Sequence, residues 1–374
     1  MHKQVKTNKT GIVTFHRADN YGAVLQAYAT VAYLMSRGID AEIVDYRCPP
    51  MEQSYKLFRY DSKRGFVSNA KNFVHNIFRI GRRRRFKAFR SHFLKKGKKY
   101  SPKTIRGANN VYSVFITGSD QVWNDVCSLK DPAYCLSFVK EESKMVAYSA
   151  SFGYDQVEPD RENFYRTQLQ RFDQISVREQ SGVKIVEKLL GKDATLLVDP
   201  TMMLAKEEWN TIAKEPNKKD YILIYLLNAR DELLYFAKEL ALKTGCQIVN
   251  ITDENNQIIE AEYVHNAGPL EFLGYFKNAK YVITNSFHGL MFSIIYRKSM
   301  YVDVPKGNKT TYSRLTHILG LLGIKGRFVS DFADSGNEPT MLDYTKIEAR
   351  IREEQDKVKH FFDKVYQEEG ENNA

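Results

Sequence analysis

Short apolar runs alternate along the chain with longer segments of helical hydrophobic spacing, a pattern typical of an α/β protein. In the first half the apolar runs predict strands at residues 11–16, 41–46, 111–117, 144–150 and 175–177. Amphipathic segments predict helices at residues 21–37 and 161–172. Because a helix lies between the first two strands, the chain is predicted to open as a βαβ unit with parallel strands.

A second α/β series begins after residues 197–203 (LVDPTMM), because Asp199-Pro200 prevents a helix from running through this segment. It has predicted strands at residues 221–227, 246–251 and 281–284, with helices at 231–242, 269–278 and 288–297. A charged amphipathic tail at 345–368 predicts a terminal helix. The predicted domains are 1–197 (acceptor side, with a basic insertion at 57–105), 198–340 (donor side), and a C-terminal helix and tail at 341–374.

The fold class is therefore predicted as α/β, with two Rossmann-like domains facing a cleft and a C-terminal helix. The carboxyl-end loops of two open parallel sheets would line that cleft, where such folds bind ligands.

Composition narrows the class of protein. Hydrophobic residues make up 43% and aromatic residues 13% of the chain, which is enough to build packed cores and argues against global disorder. The four cysteines lack the spacing of a zinc site or a disulfide framework, which favours a reducing compartment. The longest apolar run has seven residues, whereas a membrane-spanning helix needs about 20. With no signal-peptide pattern at the amino terminus, the protein is predicted to be cytoplasmic.

The positive charge is concentrated in one segment. The chain has a net charge of +11, and ten Lys and Arg residues lie in the segment that begins at Arg82 and ends at Lys99; without them the net charge is +1. No nucleic-acid-binding motif accompanies the segment, so no nucleic-acid partner is predicted. Phenylalanines recur at helical spacing within it, which leaves two interpretations: docking on an anionic membrane, or a helix that packs its aromatic stripe on the protein and exposes its basic face.

The turns after the predicted strands offer small and hydroxyl-rich residues instead of a known catalytic motif. No dinucleotide, nucleoside triphosphate, zincin or α/β-hydrolase signature is present. Asn20 or Ser286 could cap a helix and leave backbone N–H groups free for an anion. Such turns suit an anionic metabolite together with a polyhydroxyl acceptor.

Three side chains in these turns have both a chemical and a structural interpretation. Arg178 could form a fork on carboxylate or phosphate, or pair with an acid such as Glu179. His288 could deliver a proton near neutral pH, or simply cap a helix. Asp120 could accept a sugar hydroxyl proton while Trp123 stacks on the sugar, or the two could be a turn residue and a core aromatic.

Taken together, the turns resemble the polysaccharide pyruvyl transferase family. The matching stretches are FHRADNYGAVLQAYA (15–29), ITGSDQVWN (116–124), YSASFG (148–153), SVRE (176–179), VDPTM (198–202), GPLEFL (268–273) and TNSFHGLMFSI (284–294). The resemblance implies a glycosyltransferase-B-like fold and transfer of a pyruvyl group from phosphoenolpyruvate to a sugar, forming a cyclic ketal and releasing phosphate. It implies no metal and no cofactor beyond phosphoenolpyruvate as co-substrate.

The resemblance also implies roles for particular residues. It makes Arg178 a donor-binding residue and His288 the general acid, and it requires a basic residue after the histidine, for which Lys306, Lys309 and Arg314 compete. Many relatives have Arg-Leu before the histidine, where this chain has Ser286-Phe287. The full predicted donor site is Arg178, Ser286, His288, Gly289, Lys306, Lys309 and Arg314. The predicted acceptor site is Asn20, Tyr21, Gly22, Ser119, Asp120, Trp123, Asn124 and Ser151, with Asp120 as the base.

The predicted partners are phosphoenolpyruvate, a lipid-linked saccharide acceptor and an anionic membrane surface contacted by residues 82–99. This places the protein at the inner face of the plasma membrane, in capsule or exopolysaccharide biosynthesis. Two other functions fit the sequence: a nucleotide-sugar-dependent glycosyltransferase of the same fold, and a non-catalytic polyanion-binding protein.

Overall fold

The computed structural model describes residues 9–49, 52, 80–227, 230–252, 258–303, 309–330 and 342–367. These residues form two compact units, each built on one parallel β-sheet. Unit 1 contains the described residues within 1–55, 92–204 and 349–374, and unit 2 those within 56–91 and 205–348. The predicted α/β class with two Rossmann-like layers is confirmed.

The sheet of unit 1 has seven parallel strands in the order β3-β2-β1-β4-β5-β6-β7. They are β1 (Thr10–Val13), β2 (Ala41–Tyr46), β3 (Lys96–Tyr100), β4 (Val114–Thr117), β5 (Lys144–Ala150), β6 (Gln174–Val177) and β7 (Thr195–Leu196). The strand order reverses between β1 and β4. Open α/β sheets bind ligands at the carboxyl edge beside such a reversal, so the loops after β1 and β4 are the first place to look for a site.

The sheet of unit 2 has five parallel strands in the order β10-β9-β8-β11-β12. They are β8 (Tyr221–Tyr225), β9 (Ile248–Ile251), β10 (Glu262–Val264), β11 (Ala279–Thr284) and β12 (Ser299–Val302). Here the reversal falls between β8 and β11. The predicted His288 turn follows β11 directly, so it lies at this second reversal.

Ten helices cover the two sheets within the described residues. They are α1 (Tyr21–Ser36), α2 (Ile80–His92), α3 (Pro159–Leu169), α4 (Gln180–Leu190), α5 (Lys206–Ile212), α6 (Asp231–Thr244), α7 (Pro269–Asn278), α8 (Phe287–Ile295), α9 (Lys309–Leu321) and α10 (Tyr344–Gln367). Short 3-10 turns occupy Ile105–Asn110, Pro132–Cys135 and Pro200–Met203. None of the described helices is long and apolar enough to cross a membrane.

The two units differ from the predicted domains in the placement of the basic segment and of the terminal helix. The predicted insertion at 57–105 was assigned to the first domain, but its described residues 80–91 group with unit 2. One reason is that Arg85 Nη1 donates to the carbonyl of Asn266 at 2.8 Å. Residues 349–367 of the terminal helix group with unit 1, where the Phe362 ring packs on Tyr33 and Tyr148.

The basic segment packs its aromatic residues on the protein. Phe86 and Phe89 of α2 are fully buried, whereas Arg84 and Lys87 are exposed. The second interpretation therefore describes these residues: Phe86 and Phe89 belong to the core, while Arg84 and Lys87 face solvent.

Strand β3, which follows α2, has the sequence KGKKY and no alternating apolar pattern, so the sequence predicts no strand there. It is an edge strand whose lysines at positions 98 and 99 are exposed. Charged side chains on an edge strand discourage pairing with other chains, which explains a strand without an apolar face.

Candidate functional site

Asp199 is the centre of a buried hydrogen-bond network at the carboxyl edge of the unit 1 sheet. Its Oδ2 accepts hydrogen bonds from Ser119 Oγ and Arg178 Nη1, each at 2.9 Å. Its Oδ1 accepts from the backbone N and the hydroxyl of Thr201, at 3.0 and 2.8 Å. The carboxylate thus ties the loop after β4 to the end of β6 and to the turn at residues 200–203.

Arg178 lies among three carboxylates. Beyond the bond to Asp199, its Nε is 3.8 Å from Glu179 Oε2 and its Nη2 is 4.0 Å from Asp120 Oδ1. Burial alone would lower the pKa of the guanidinium, but the negative charges of Asp199, Glu179 and Asp120 outweigh it and raise the pKa. A permanently charged Arg178, only 3% exposed, is therefore held in an ion pair with Asp199. Its predicted role in donor binding stays a prediction.

Glu179 fixes the turn after β5. Its Oε1 accepts from Ser151 Oγ at 2.8 Å and from the backbone N–H groups of Phe152 and Gly153 at 3.1 and 3.3 Å. Because Ser151 is fully buried and donates to this carboxylate, its hydroxyl shapes the loop in this structure and is not presented to a ligand. The same is true of Ser119, which is fully buried and donates to Asp199.

The structure places Trp123, which was one candidate for stacking on a sugar, in the core. The indole is fully buried, with the rings of Phe152 and Phe172 packed against it at centroid distances of 5.1 and 5.9 Å. Asn124 is also buried: its Nδ2 donates to Phe152 O, and its Oδ1 accepts from the backbone of the next turn. Both residues build the loop and offer no exposed surface to an acceptor.

In unit 1, the polar side chains of Asp120 and Asn20 are partly exposed. Asp120 has a left-handed backbone, with φ 67°, and its side chain is 17% exposed. Asn20 is half-buried and caps α1, since its Oδ1 accepts from Ala23 N at 3.1 Å. Tyr21 and Gly22 are buried in the first turn of the same helix. Among the predicted acceptor residues, Asp120 and Asn20 are therefore the two best placed to meet a ligand.

A second polar cluster lies on this edge, and no spacing signal in the sequence marks it. His16 Nε2 lies 3.0 Å from Asp45 Oδ1, and Arg17 Nε donates to the same oxygen at 2.9 Å. Burial would raise the pKa of Asp45, but hydrogen bonds and charges from His16 and Arg17 outweigh it and lower the pKa to about 2. The signal that could have found the cluster is the position of its members, directly after β1 and at the end of β2.

In unit 2, the turn after β11 places His288 in the first turn of α8. Ser286 caps this helix by accepting from Gly289 N at 3.3 Å. Thr284 Oγ1 donates to Tyr225 O at 2.6 Å and accepts from Ser286 N at 3.1 Å, which anchors the turn to the end of β8. His288 is 8% exposed, and the edge of its ring meets the Phe287 ring at a centroid distance of 5.3 Å.

Gly289 is required by close packing in this turn, because a Cβ there would lie 2.3 Å from Thr284 Oγ1.

Among the predicted cations, Arg314 is half-buried on α9. Lys306 and the Lys309 side chain lie outside the described residues. Within the described ranges, no cluster of three His, Cys, Asp or Glu residues has the arrangement of a metal site.

A sequence model of the family described as polysaccharide pyruvyl transferase matches residues 20–302. The chain belongs to this family of transferases. The matched region begins at the N-cap of α1 and ends with β12, so it contains the Asp199 network and the His288 turn. The predicted family and the predicted enzyme class are confirmed. Among curated proteins, no sequence matches the chain significantly.

Solved structures extend the comparison to the fold. The MnaA protein of S. aureus, solved with UDP, aligns with a TM-score of 0.51 at 10% identity, covering 96% of this chain and 97% of that one. The UDP-GlcNAc 2-epimerase of Methanocaldococcus jannaschii aligns with a TM-score of 0.44 at 11% identity, covering 92% of each chain. The spinosyn rhamnosyltransferase SpnG aligns with a TM-score of 0.42 at 12% identity, covering 94% and 96%. At 10% identity, the likeness to MnaA shows a shared fold.

Proposed function

We propose that the protein transfers the pyruvyl group of phosphoenolpyruvate to two hydroxyls of a saccharide, forming a cyclic ketal and releasing phosphate. The observation that carries the proposal is the family match, which spans the turns of both sheets and includes His288 in the first turn of α8. The rest of the proposal assigns chemistry to these turns.

The donor reacts first at its methylene carbon. A proton from the His288 imidazole adds to C3 of phosphoenolpyruvate, which becomes a methyl group, and positive charge develops at C2. Ser286 caps the helix that carries His288, and the Phe287 ring contacts the imidazole, so the imidazole has a defined direction for this transfer. The N-terminal N–H groups and dipole of α8 favour an anion beside the histidine, as the phosphate and carboxylate of the donor require.

The acceptor then closes the ketal in two steps. One sugar hydroxyl attacks C2 and loses its proton to a base, for which Asp120 is the proposed residue. Phosphate departs with the C2–O electron pair, which restores positive charge at C2. A second hydroxyl of the same sugar attacks, loses its proton, and completes the ring. The partly exposed carboxylate of Asp120 suits a base better than the buried Glu179 or Asp199, whose oxygens already accept several hydrogen bonds.

The test is acceptor-dependent phosphate release. Incubated with phosphoenolpyruvate and lipid-linked oligosaccharides, the wild type should release phosphate. His288→Gln keeps polarity but removes the transferable proton, so it should fold normally and lose about 10²–10⁴-fold in rate. His360→Gln is the matched control, because His360 is exposed on α10. Normal turnover by folded His288→Gln would exclude the histidine as the acid. Consumption of a nucleotide sugar with no use of phosphoenolpyruvate would instead establish the alternative transferase.

A second part of the proposal concerns the location of the acceptor. Arg84 and Lys87 lie on the exposed face of α2, while the neighbouring phenylalanines are buried, so the helix can meet an anionic bilayer through charge but not by inserting rings. Each such cation near the surface contributes about 1 kcal/mol. We infer that this face brings the protein to a membrane that carries a lipid-linked acceptor.

Vesicle co-sedimentation checks the membrane proposal. Arg84→Gln/Lys87→Gln should bind anionic vesicles roughly thirtyfold more weakly at low salt, because two cations contribute about 2 kcal/mol. The control Lys243→Gln/Lys325→Gln removes the same charge from exposed positions elsewhere in unit 2. Equal pelleting with neutral and anionic vesicles, or an equal loss in the control, would contradict the proposal.

A further inference from the structure

An arginine that the sequence did not single out lies at the carboxyl edge of the unit 2 sheet. Arg230 follows β8 and immediately precedes α6, and Asp303 directly follows β12. Arg230 Nη1 is 3.5 Å from Asp303 Oδ2, and its Nη2 is 3.5 Å from Glu232 Oε2. Nη1 is shielded from solvent and makes no hydrogen bond to any residue in the described part of the chain.

The Arg230–Asp303 pair crosses the end of the strand that leads to His288. β11 lies between β8 and β12, and the three strands end level, because Thr284 pairs with both Tyr225 and Val302. Adjacent strands are about 4.8 Å apart, so a contact from the end of β8 to the end of β12 spans roughly 10 Å over β11.

After β11 the chain turns through Asn285 and Ser286 into α8. Asn285 Oδ1 also accepts from Leu227 N at 2.8 Å, which ties the loop after β8 to the same turn. Asp303 follows Val302, which pairs with Thr284, so the Asp303 end of the contact adjoins the turn that places His288.

The way Arg230 is held differs from the way Arg178 is held in the same protein. Arg178 donates a 2.9 Å hydrogen bond to fully buried Asp199. The carboxylates around Arg230 are at 3.5 Å, and the side chains of Arg230 and Asp303 keep 17% and 23% exposure. A planar guanidinium forms shorter, bidentate bonds with a phosphate or carboxylate that can approach its fork. The loose ion pair can thus be exchanged for a better-fitting anion.

We propose that Arg230 binds the phosphate or the carboxylate of the donor at this edge, and that Asp303 holds the guanidinium in place until the donor displaces it. The inference rests on the proposed use of phosphoenolpyruvate and adds a donor-binding residue to it. Asp303 is a positioning residue in this arrangement, because it acts on the donor only through Arg230.

Steady-state kinetics of phosphate release gives opposite expectations for the two members of the pair. Arg230→Gln should raise the KM for phosphoenolpyruvate about tenfold to a hundredfold, since a charge-assisted contact is lost. Arg230→Lys keeps the charge without the fork and should give an intermediate KM. Asp303→Asn removes the competing carboxylate, so the KM should stay the same or fall. In the double variant the KM should equal that of Arg230→Gln.

Two results would overturn the inference. The first is an unchanged KM in Arg230→Gln. The second is a KM that rises equally in Arg230→Gln and Asp303→Asn while both variants lose the same amount in melting temperature, because a purely structural ion pair would behave in this way. If the wild type released no phosphate from phosphoenolpyruvate, the proposed function would fail, and titration with inorganic phosphate would still test Arg230. Weaker phosphate binding by Arg230→Gln than by wild type would support an anion site there, and equal binding would refute it.

Discussion

Replacing Arg178 with Met tests how the carboxyl edge of unit 1 is held together. Met removes the charge and the donors but keeps much of the side-chain volume. It leaves Asp199, which is fully buried, without its counter-charge. Removing one partner of a buried ion pair costs about 3–5 kcal/mol, because the other charge stays buried and uncompensated. The contact is a direct hydrogen bond of 2.9 Å between two buried groups, so we expect Arg178→Met to fall within that range.

Thermal melting followed by circular dichroism measures this loss. For a unit of this size, 1 kcal/mol corresponds to about 2–4 °C, so Arg178→Met should lower the melting temperature by about 6–20 °C. The double variant Arg178→Met/Asp199→Asn removes both charges and should recover a large part of the loss, since coupled partners are not additive. A single variant that melts within about 2 °C of the wild type would refute the reasoning, as would a double variant no more stable than the single one.

Two further predictions concern stability. The folded pKa of Asp45 is lowered to about 2 from an unfolded value of about 3.9, so its ionised form stabilises the fold by about 2–3 kcal/mol above pH 4. In urea unfolding, the stability difference between wild type and Asp45→Asn should shrink as the pH falls from 4 to 2, and a constant difference would contradict this. Gly289→Ala forces a Cβ to within 2.3 Å of Thr284 Oγ1 and should lower the free energy of unfolding by about 1–3 kcal/mol, whereas the Cβ of the control Gly320→Ala meets nothing within 4 Å and should leave stability unchanged or raise it. Equal melting temperatures for the two variants would contradict the packing argument.

The sequence predicted the elements whose hydrophobic pattern is local. The strands predicted at residues 41–46 and 144–150 agree with β2 and β5 residue for residue, and the helix predicted at 269–278 agrees with α7. Their apolar residues face a core on a simple repeat, which can be recognised without knowing any partner. α4 carries a clear amphipathic repeat and could have been predicted in the same way.

The elements that the pattern did not predict depend on tertiary position. β3 is a strand because it pairs with β2 at the sheet edge, and its lysine-rich sequence reflects that edge. The same holds for the charged groups. The sequence marks Asp199 as part of a helix-breaking Asp-Pro and of the VDPTM stretch, but not as the partner of Ser119, which is 80 residues away in the sequence. The Arg230–Asp303 contact likewise depends on the order of the strands in the sheet, in which β8 and β12 lie on either side of β11.

The sequence places the candidate residues in turns, and the structure shows which of their side chains are buried. The turns after β4, β5, β6 and β11 lie at the carboxyl edges of their sheets, as expected for parallel strands. Within them, Trp123 and Ser151 serve the loops themselves, because a polar turn that must hold a fixed shape uses its own side chains to do so. Trp123 and Ser151 are buried whereas Asp120 is partly exposed, and the burial of a turn residue cannot be read from one sequence.

The most direct test of the proposed function is the fate of the donor carbon. Phosphoenolpyruvate labelled with carbon-13 at C2 is incubated with the wild-type protein and a lipid-linked oligosaccharide, and the product is examined by carbon NMR. The account predicts that the label becomes a ketal carbon bonded to a methyl group, a carboxylate and two oxygens of one sugar, with one phosphate released for each ketal formed. A label that remains in unchanged phosphoenolpyruvate, while a nucleotide sugar is consumed under the same conditions, would contradict it.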